Sequence, residues 1–515
     1  MLLTHIVQTS QRVAETPRRL EKISRLSTCL RNLAPEEIEI GVNYLVGRLR
    51  QGNTGIGPSM VAAAAPAGAA AEPTLTLLDV DRAFEQIART TGAGSAGERR
   101  RLMGGLLTKA TRDEQDFIAR LTVGELRQGA LEGILVEGIA QAAEVSPTDV
   151  RRAVMLNGDL ATVAKAALID GRSGLHRFAL ELLQPVQPML AQPADNVAEA
   201  LDQLSRGAFE YKMDGTRVQV HKVGRDVRVF TRTLNDVTSS VPEIVDAVLQ
   251  VPAQQIVLDG ETLAFREDDM PHPFQVTMRR FGRKLEVAEI RKTLPLTPFF
   301  FDCLHLDGKD LIDRPANERH ESLQSALPPE WLTPRLITDK VSEAESFLQE
   351  SLSRGHEGVM AKSVEAPYEA GRRGSAWLKI KRAHTLDLVV LAAEWGHGRR
   401  RGWLSNLHLG ARDTDSGFVM LGKTFKGMTD DLLAWQTQKF KELEIGRDGI
   451  TVYVRPELVV EIAFNDLQAS PHYPGGLALR FARVKRYRPD KRADQADTIE
   501  TVRALYAKQS HWLIS

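Results

Sequence analysis

The chain has 515 residues, 43% hydrophobic and 26% charged, with 67 basic and 67 acidic side chains balanced to zero net charge. Those proportions suit a soluble globular protein, and at about 100–200 residues per domain the length predicts three or four domains. The two cysteines, Cys29 and Cys303, have neither metal-ligand spacing nor the look of a disulfide framework, and no apolar run nears the roughly 18 residues of a membrane span.

A neutral total argues against a uniformly basic nucleic-acid binder, but binding depends on where the charge sits. Basic clusters stand at 99–101, 379–382, 399–401 and 483–491. The beginning of the chain lacks a basic leader followed by an apolar run, so a cytoplasmic protein is expected, associated with the nucleoid if bacterial.

In chain order, residues 1 to about 185 predict an all-α region, because apolar residues recur at spacings of three and four. Ser10 and Pro35 are expected near helix starts, and the alanine-rich stretch 62–71 is expected as a surface loop. The prolines at 185 and 188 mark a boundary. Short alternating runs follow. Arg217–His221 and Asp226–Phe230 predict a hairpin about Gly224, Gln255–Gly260 a strand ending in an Asp-Gly turn, and Pro298–Leu304 a buried strand. From about residue 385 the pattern suits a small β-barrel. No fixed-period repeat points to a solenoid.

The middle region carries the chemistry. Glu210-Tyr211-Lys212-Met213-Asp214-Gly215 sets one lysine among carboxylates. A lysine attacks an electrophile only when deprotonated, and its ordinary pKa of about 10.4 must be lowered by nearby cations or a dry pocket. Downstream come Arg217, Arg232, Glu261, Phe301, Glu357, Arg373, and Lys379 and Lys381 beside Trp377. Nucleotide transfer needs such a set: a nucleophile for the α-phosphate, cations for the transition state, carboxylates for a metal, and an aromatic face for a base. Neither a P-loop nor a dinucleotide-binding glycine fingerprint is present.

In this order, and ending at Arg480-Phe481-Ala482-Arg483-Val484-Lys485-Arg486-Tyr487-Arg488-Pro489-Asp490-Lys491, the motifs resemble those of the covalent nucleotidyltransferases, specifically the ATP-dependent DNA ligases. Residues 121–129 resemble a stretch of the helical DNA-binding domain of larger ligases, so the likeness spans the chain. Ala482-Arg483-Val484 departs from the Pro-Arg-Phe of many relatives.

The resemblance implies an all-α DNA-binding domain (1–185), an α+β nucleotidyltransferase domain of ATP-grasp-like form (186–384) and a C-terminal all-β OB-fold barrel (385–515). It implies that Lys212 takes AMP from ATP, that Glu210 reads the adenine amino group and that Phe301 stacks on the base. Arg217 and Arg232 would contact ribose or phosphates, and Glu261 the ribose and, with Glu357, a Mg²⁺ ion (Mn²⁺ as the alternative). Arg373, Lys379 and Lys381 would meet the α-phosphate, and Arg488 and Lys491 would orient pyrophosphate from a barrel hinged at 380–386. The implied partner is nicked duplex DNA, encircled by a monomer; no membrane is implied, and the sequence names no sliding-clamp partner. An RNA ligase, a capping guanylyltransferase and an inactive DNA clamp are the competing readings.

Overall fold

The computed structural model describes residues 1–52, 54–126, 132–272, 274–281, 287–370, 373–381, 384–413 and 417–514. Ten helices among the described residues form the first region: α1 (Leu3–Glu15), α2 (Arg19–Arg31), α3 (Ile38–Val46), α4 (Pro58–Ala64), α5 (Leu77–Arg89), α6 (Ser95–Thr108), α7 (Arg112–Thr122), α8 (Glu132–Ala143), α9 (Pro147–Asn157) and α10 (Leu160–His176). Each presents an apolar stripe to one core; in α1 the stripe is Leu3, Ile6, Val7 and Val13. Thr76 starts α5 by accepting from the Asp79 amide while the Asp79 carboxylate accepts from the Thr76 amide. Ser10 is no helix start: the apolar spacing begins at Leu3, and Ser10 is buried inside α1. The alanine-rich stretch is partly helical, since Pro58 opens α4 and Val61 and Ala64 pack inward. Residues 127–129 of the family-like stretch lie outside the described residues.

Ten strands follow: β1 (Leu190–Pro193), β2 (Gly207–Lys212), β3 (Thr216–Val223), β4 (Asp226–Thr231), β5 (Gln255–Ala264), β6 (Leu296–Leu306), β7 (Lys309–Asp310), β8 (Arg335–Thr338), β9 (Gly358–Ser363) and β10 (Arg373–Lys381). They form two five-stranded sheets, ordered β1-β10-β9-β2-β8 and β4-β3-β5-β6-β7. Residues 213–215 join β2 in one sheet to β3 in the other, so the Lys212–Gly215 segment is a crossover between sheets. The β3–β4 hairpin turns at Gly224, whose φ of 56° suits glycine. The predicted turn at Asp259-Gly260 does not occur, and β5 runs straight through it. Gly260 serves close packing instead: a Cβ there would stand 2.7 Å from the Phe299 carbonyl oxygen on the neighbouring β6.

The third region is strand-rich: β11 (His384–Trp395), β12 (Leu404–Asp413), β13 (Gly417–Thr424), β14 (Glu444–Asp448), β15 (Thr451–Val454), β16 (Val459–Phe464), β17 (Asp466–Ala469), β18 (Leu477–Arg480) and β19 (Arg483–Tyr487). The long β11 is the organiser, because it pairs with β12, β15 and β16 along successive parts of its length and so curls the sheet. Its alternate residues Leu386, Leu388 and Val390 fill the barrel core. Helices Asp430–Glu442 and Ile499–Ile514 accompany the strands.

Contacts between regions differ in kind. The helical region docks through α9, whose Met155 and Leu156 pack with Met189, Tyr368 and Trp377, and whose Arg152 forms a two-pronged pair with Asp313 (3.1 and 2.7 Å). The connection between them is pinned at Val186, whose amide and carbonyl both bond the Gln219 side chain (2.8 and 3.1 Å). The barrel meets the middle region through exposed ions, Asp195 with Lys485 at 2.9 Å and Arg483 at 3.5 Å. Cys29 and Cys303 are buried and free. Among the described residues, no helix is long and apolar enough to cross a membrane.

Candidate active site

A cavity of about 800 Å³ opens between the two middle sheets. It is lined by Glu210, Lys212, Arg217, Arg232, Glu261, Phe301, Lys379 and Lys381, eight residues singled out in the sequence. Lys212 sits at the end of β2, its ammonium paired with Glu357. The Glu357 amide donates to the Lys212 carbonyl at 3.0 Å, and Lys381 Nζ donates to the other Glu357 oxygen at 2.7 Å. One carboxylate therefore holds two lysines at the cavity rim. Gly358 makes this possible. A Cβ there would overlap the Ile380 carbonyl, so only glycine lets β9 pass close to β10 while Glu357 faces Lys212.

Three carboxylates meet here under different fields. Burial pushes Glu261 up to about 7, against the pull of Lys212 and Arg217. Burial, aided by the Glu357 charge, raises Asp214 to about 6. Burial also works on Glu357, but Lys212 and Lys381 together carry it below the ordinary carboxylate value.

The floor of the cavity holds a second charged group. Glu210 is buried and pairs with Lys362 Nζ at 2.5 Å, with Arg335 Nε 3.8 Å away. The Lys362 ammonium lies 4.2 Å from the centroids of both the Phe301 and the Trp377 rings. Those rings meet edge to face at 5.8 Å. Phe301 turns toward the cavity while its neighbour Phe300 fills the core beneath, as alternation along β6 requires.

Arg217 lines the cavity, yet its guanidinium is engaged from behind. Nε and Nη2 donate to the two Asp259 oxygens at 2.9 and 2.5 Å, and Nη1 donates to the Met189 carbonyl at 2.6 Å. The Tyr368 hydroxyl completes the group by donating to Asp259 at 2.6 Å. Sequence reasoning missed Asp259 and Tyr368 as members of the site. Asp259 was visible as a strand carboxylate two residues before Glu261, paired across the sheet with Gln219 and next to Arg217 in register, whereas nothing local marks Tyr368.

Arg232 stands exposed at the cavity mouth on the segment after β4, where a second groove, lined by Arg48 and Arg151 of the helical region, begins. The side chain of Arg373 lies outside the described residues. Arg488 and Lys491 do not line the cavity. Both are held on the barrel by Asp387 of β11, at 2.9 and 2.5 Å.

Three family models match the chain: the DNA ligase N terminus over 63–140, the ATP-dependent DNA ligase domain over 188–381 and the ATP-dependent DNA ligase C-terminal region over 400–491. A probable DNA ligase of Anaeromyxobacter sp. (strain Fw109-5) is 61% identical over 512 residues, 99% of each chain. The chain belongs to the ATP-dependent DNA ligases. A second such relative, a probable DNA ligase of Sorangium cellulosum (strain So ce56), is 59% identical over 98% of this chain and 96% of its own length. The solved structure described as Pmar-Lig_PreS3 superposes with a TM-score of 0.58 at 17% identity, covering 94% of this chain and 99% of that one, a likeness of fold. The family assignment accounts for the order of the motifs from Lys212 to Lys491 and places the cavity in its ATP-dependent ligase domain.

Proposed function

We propose that this ligase seals nicks between a 5′-phosphate and a 3′-hydroxyl in duplex DNA, with Lys212 as the nucleophile. The observation that carries the assignment is the placement of Lys212 at the rim of a nucleotide-sized cavity, beside Glu357, Lys381 and Glu261. In the first step Lys212 Nζ attacks the α-phosphorus of ATP, its proton is lost, and the bond to pyrophosphate breaks. In the second, a 5′-phosphate oxygen of the nick attacks the lysyl-AMP phosphorus and the P–N bond breaks, restoring the lysine. In the third, the 3′-hydroxyl attacks the activated 5′-phosphate and AMP leaves.

The side chains divide this work. Glu210 accepts from the exocyclic amine of adenine, Phe301 offers its face to the base, and Glu261 receives the ribose hydroxyls. Lys379, Lys381 and Arg373 meet the α-phosphate, and Arg232 the 5′-phosphate of the nick. Arg217, bound by Asp259 and Tyr368, is a positioning residue that fixes the wall behind the ribose. Arg488 and Lys491 orient pyrophosphate once the barrel has turned about 380–386, exchanging Asp387 for phosphate oxygens; residues 382–383 of that segment lie outside the described residues. A protein acting alone as a monomer, with the domain limits 1–185, 186–384 and 385–515, suits this division.

Mg²⁺, or Mn²⁺ in its place, fits Glu261 and Glu357. Glu261 lines the cavity with its carboxyl pushed up by burial, and the nearby Glu357 charge pushes it the same way, so a cation between the two would relieve both. No group of three metal-ligating side chains occurs among the described residues, so phosphate and water oxygens would complete the shell. Bound there, the ion would neutralise charge on the phosphates.

Lys212→Ala tests the assignment. Incubation with labelled ATP should give a covalent protein adduct in the wild type and none in the variant, which also loses nick sealing but still binds nicked DNA. A wild-type adduct formed with GTP and not ATP points instead to a capping-type guanylyltransferase, and an adduct that survives in the variant removes Lys212 from its role.

A further inference from the structure

We propose that Lys362 is a specificity-determining positioning residue: by pairing with Glu210 at the cavity floor, it keeps that carboxylate in the acceptor form that selects a purine with an amino group at position 6. The inference rests on the reading of Glu210 as the group that meets the base.

A buried carboxylate in the floor of a dry cavity has two ways to exist. Alone it takes up a proton and becomes a donor as well as an acceptor; beside a buried cation it stays ionised and can only accept. Glu210 has such a cation beside it, the Lys362 ammonium. Glu210 lies within β2 between β8 and β9, and the elements around it contribute charge: Lys362 from β9 at 2.5 Å, Arg335 from β8 at 3.8 Å, and behind them the Asp302–Arg319 pair of β6 and the following helix, with His320 neutral beside it. Arg335 is too distant for a hydrogen bond, so the direct cation is Lys362. Its own position is fixed by the two aromatic rings, each 4.2 Å away, which favour an ammonium over a neutral amine. Lys362 is buried where it lines the cavity floor beside Phe301 and Trp377, and its ammonium ends on Glu210, the partner through which it acts on the base.

An acceptor-only carboxylate gains a charge-assisted hydrogen bond from the 6-amino group of adenine. It gains nothing from a purine bearing hydrogen at that position, and it opposes the carbonyl oxygen of guanine. Lys362 is then the residue that turns Glu210 from a mere polar group into a reader of the base.

The test compares formation of the lysine adduct from ATP and from purine riboside triphosphate, which lacks the 6-amino group, in the full-length protein. The wild type should prefer ATP by about 10- to 100-fold in adduct-forming efficiency, the worth of one hydrogen bond to a charged group. Glu210→Gln should collapse this preference; if it does not, the reading of Glu210 itself fails. Given that collapse, Lys362→Met should lose most of the preference and Lys362→Arg should keep it. Lys362→Met with the preference intact overturns the proposal and leaves Glu210 as the reader. Should Lys362→Met fail to fold, because it strands a buried charge, the Glu210→Gln/Lys362→Met double variant removes both charges. Its adduct-forming efficiency with ATP should equal that of Glu210→Gln alone; a further loss would show that Lys362 acts on the nucleotide independently of Glu210 and would also overturn the proposal.

Discussion

The nucleotide cavity and the barrel treat their carboxylates in opposite ways. In the cavity, Glu261 and Asp214 are pushed up to about 7 and about 6 because burial strips them of water faster than neighbouring lysines repay it with charge. In the barrel, Glu394 is less deeply buried and accepts from Asn406, His408 and Lys423, and these partners overcome burial and hold it down at about 2. A structural carboxylate is satisfied by the fold; a carboxylate kept for a ligand is left wanting a partner that arrives later. The contrast sets the cavity apart from the barrel as the place where carboxylates lack such partners.

Four variants press on this contrast. The largest stability loss belongs to Asp259→Ala, which leaves Arg217 without its partner in the wall of the cavity. Breaking a buried pair costs about 3–5 kcal/mol, so chemical denaturation should show a loss of that order. A loss below about 1 kcal/mol would mean that the pair behaves as a surface contact and that the wall is not rigid.

The next prediction concerns sign. The folded-state pKa of Glu261 lies above its ordinary 4.5, so its favourable contribution is present below about 4.5 and is lost as pH rises through about 7. The ligand-free wild type should therefore lose stability across that window relative to Glu261→Gln, as read by melting temperature against pH. Parallel pH profiles for the two proteins would contradict the picture of an unsatisfied cavity.

Glu394→Gln should behave in the opposite sense. Its lowered pKa makes the contribution present above about 4.5 and lost as pH falls toward about 2. At neutral pH the variant should be less stable by about 1–2 kcal/mol, from weakened charged hydrogen bonds, and the gap should close in acid. The smallest effect is expected from Asp195→Asn, which removes the exposed partner of Lys485 and Arg483. The cost should stay below about 1 kcal/mol and disappear in high salt. A larger, salt-resistant loss would show that the barrel is held to the middle region by more than these ions.

The legible part of the molecule was the part encoded by short-range pattern. The hairpin about Gly224 and the buried strand around Phe300 both follow from alternation and turn residues. Reading Asp259-Gly260 as a turn failed because glycine answers two demands, positive φ and close approach, and only the packing of β5 on β6 reveals which applies. Tyr368 and Lys362 were illegible for another reason. Tyr368 reaches Asp259 across 109 positions of sequence, and Lys362 reaches Glu210 through the pairing of β9 with β2. Neither has a local periodicity that could announce it. The resemblance put Arg217 at ribose or phosphates, while Asp259, the buried partner that engages its guanidinium, is distant in sequence.

The two cysteines have a practical consequence for watching this protein move. Thiol reagents attack the thiolate, and burial pushes Cys303 up to about 12 and raises Cys29 as well, so both native thiols are shielded from bulk reagent and chemically reluctant. A wild-type background can therefore stay dark to maleimide dyes. Cysteines introduced at exposed positions, such as Arg89→Cys on the helical region and Gln438→Cys on the barrel, would take donor and acceptor labels selectively. Single-molecule energy transfer between them would then test whether the barrel changes partners during turnover.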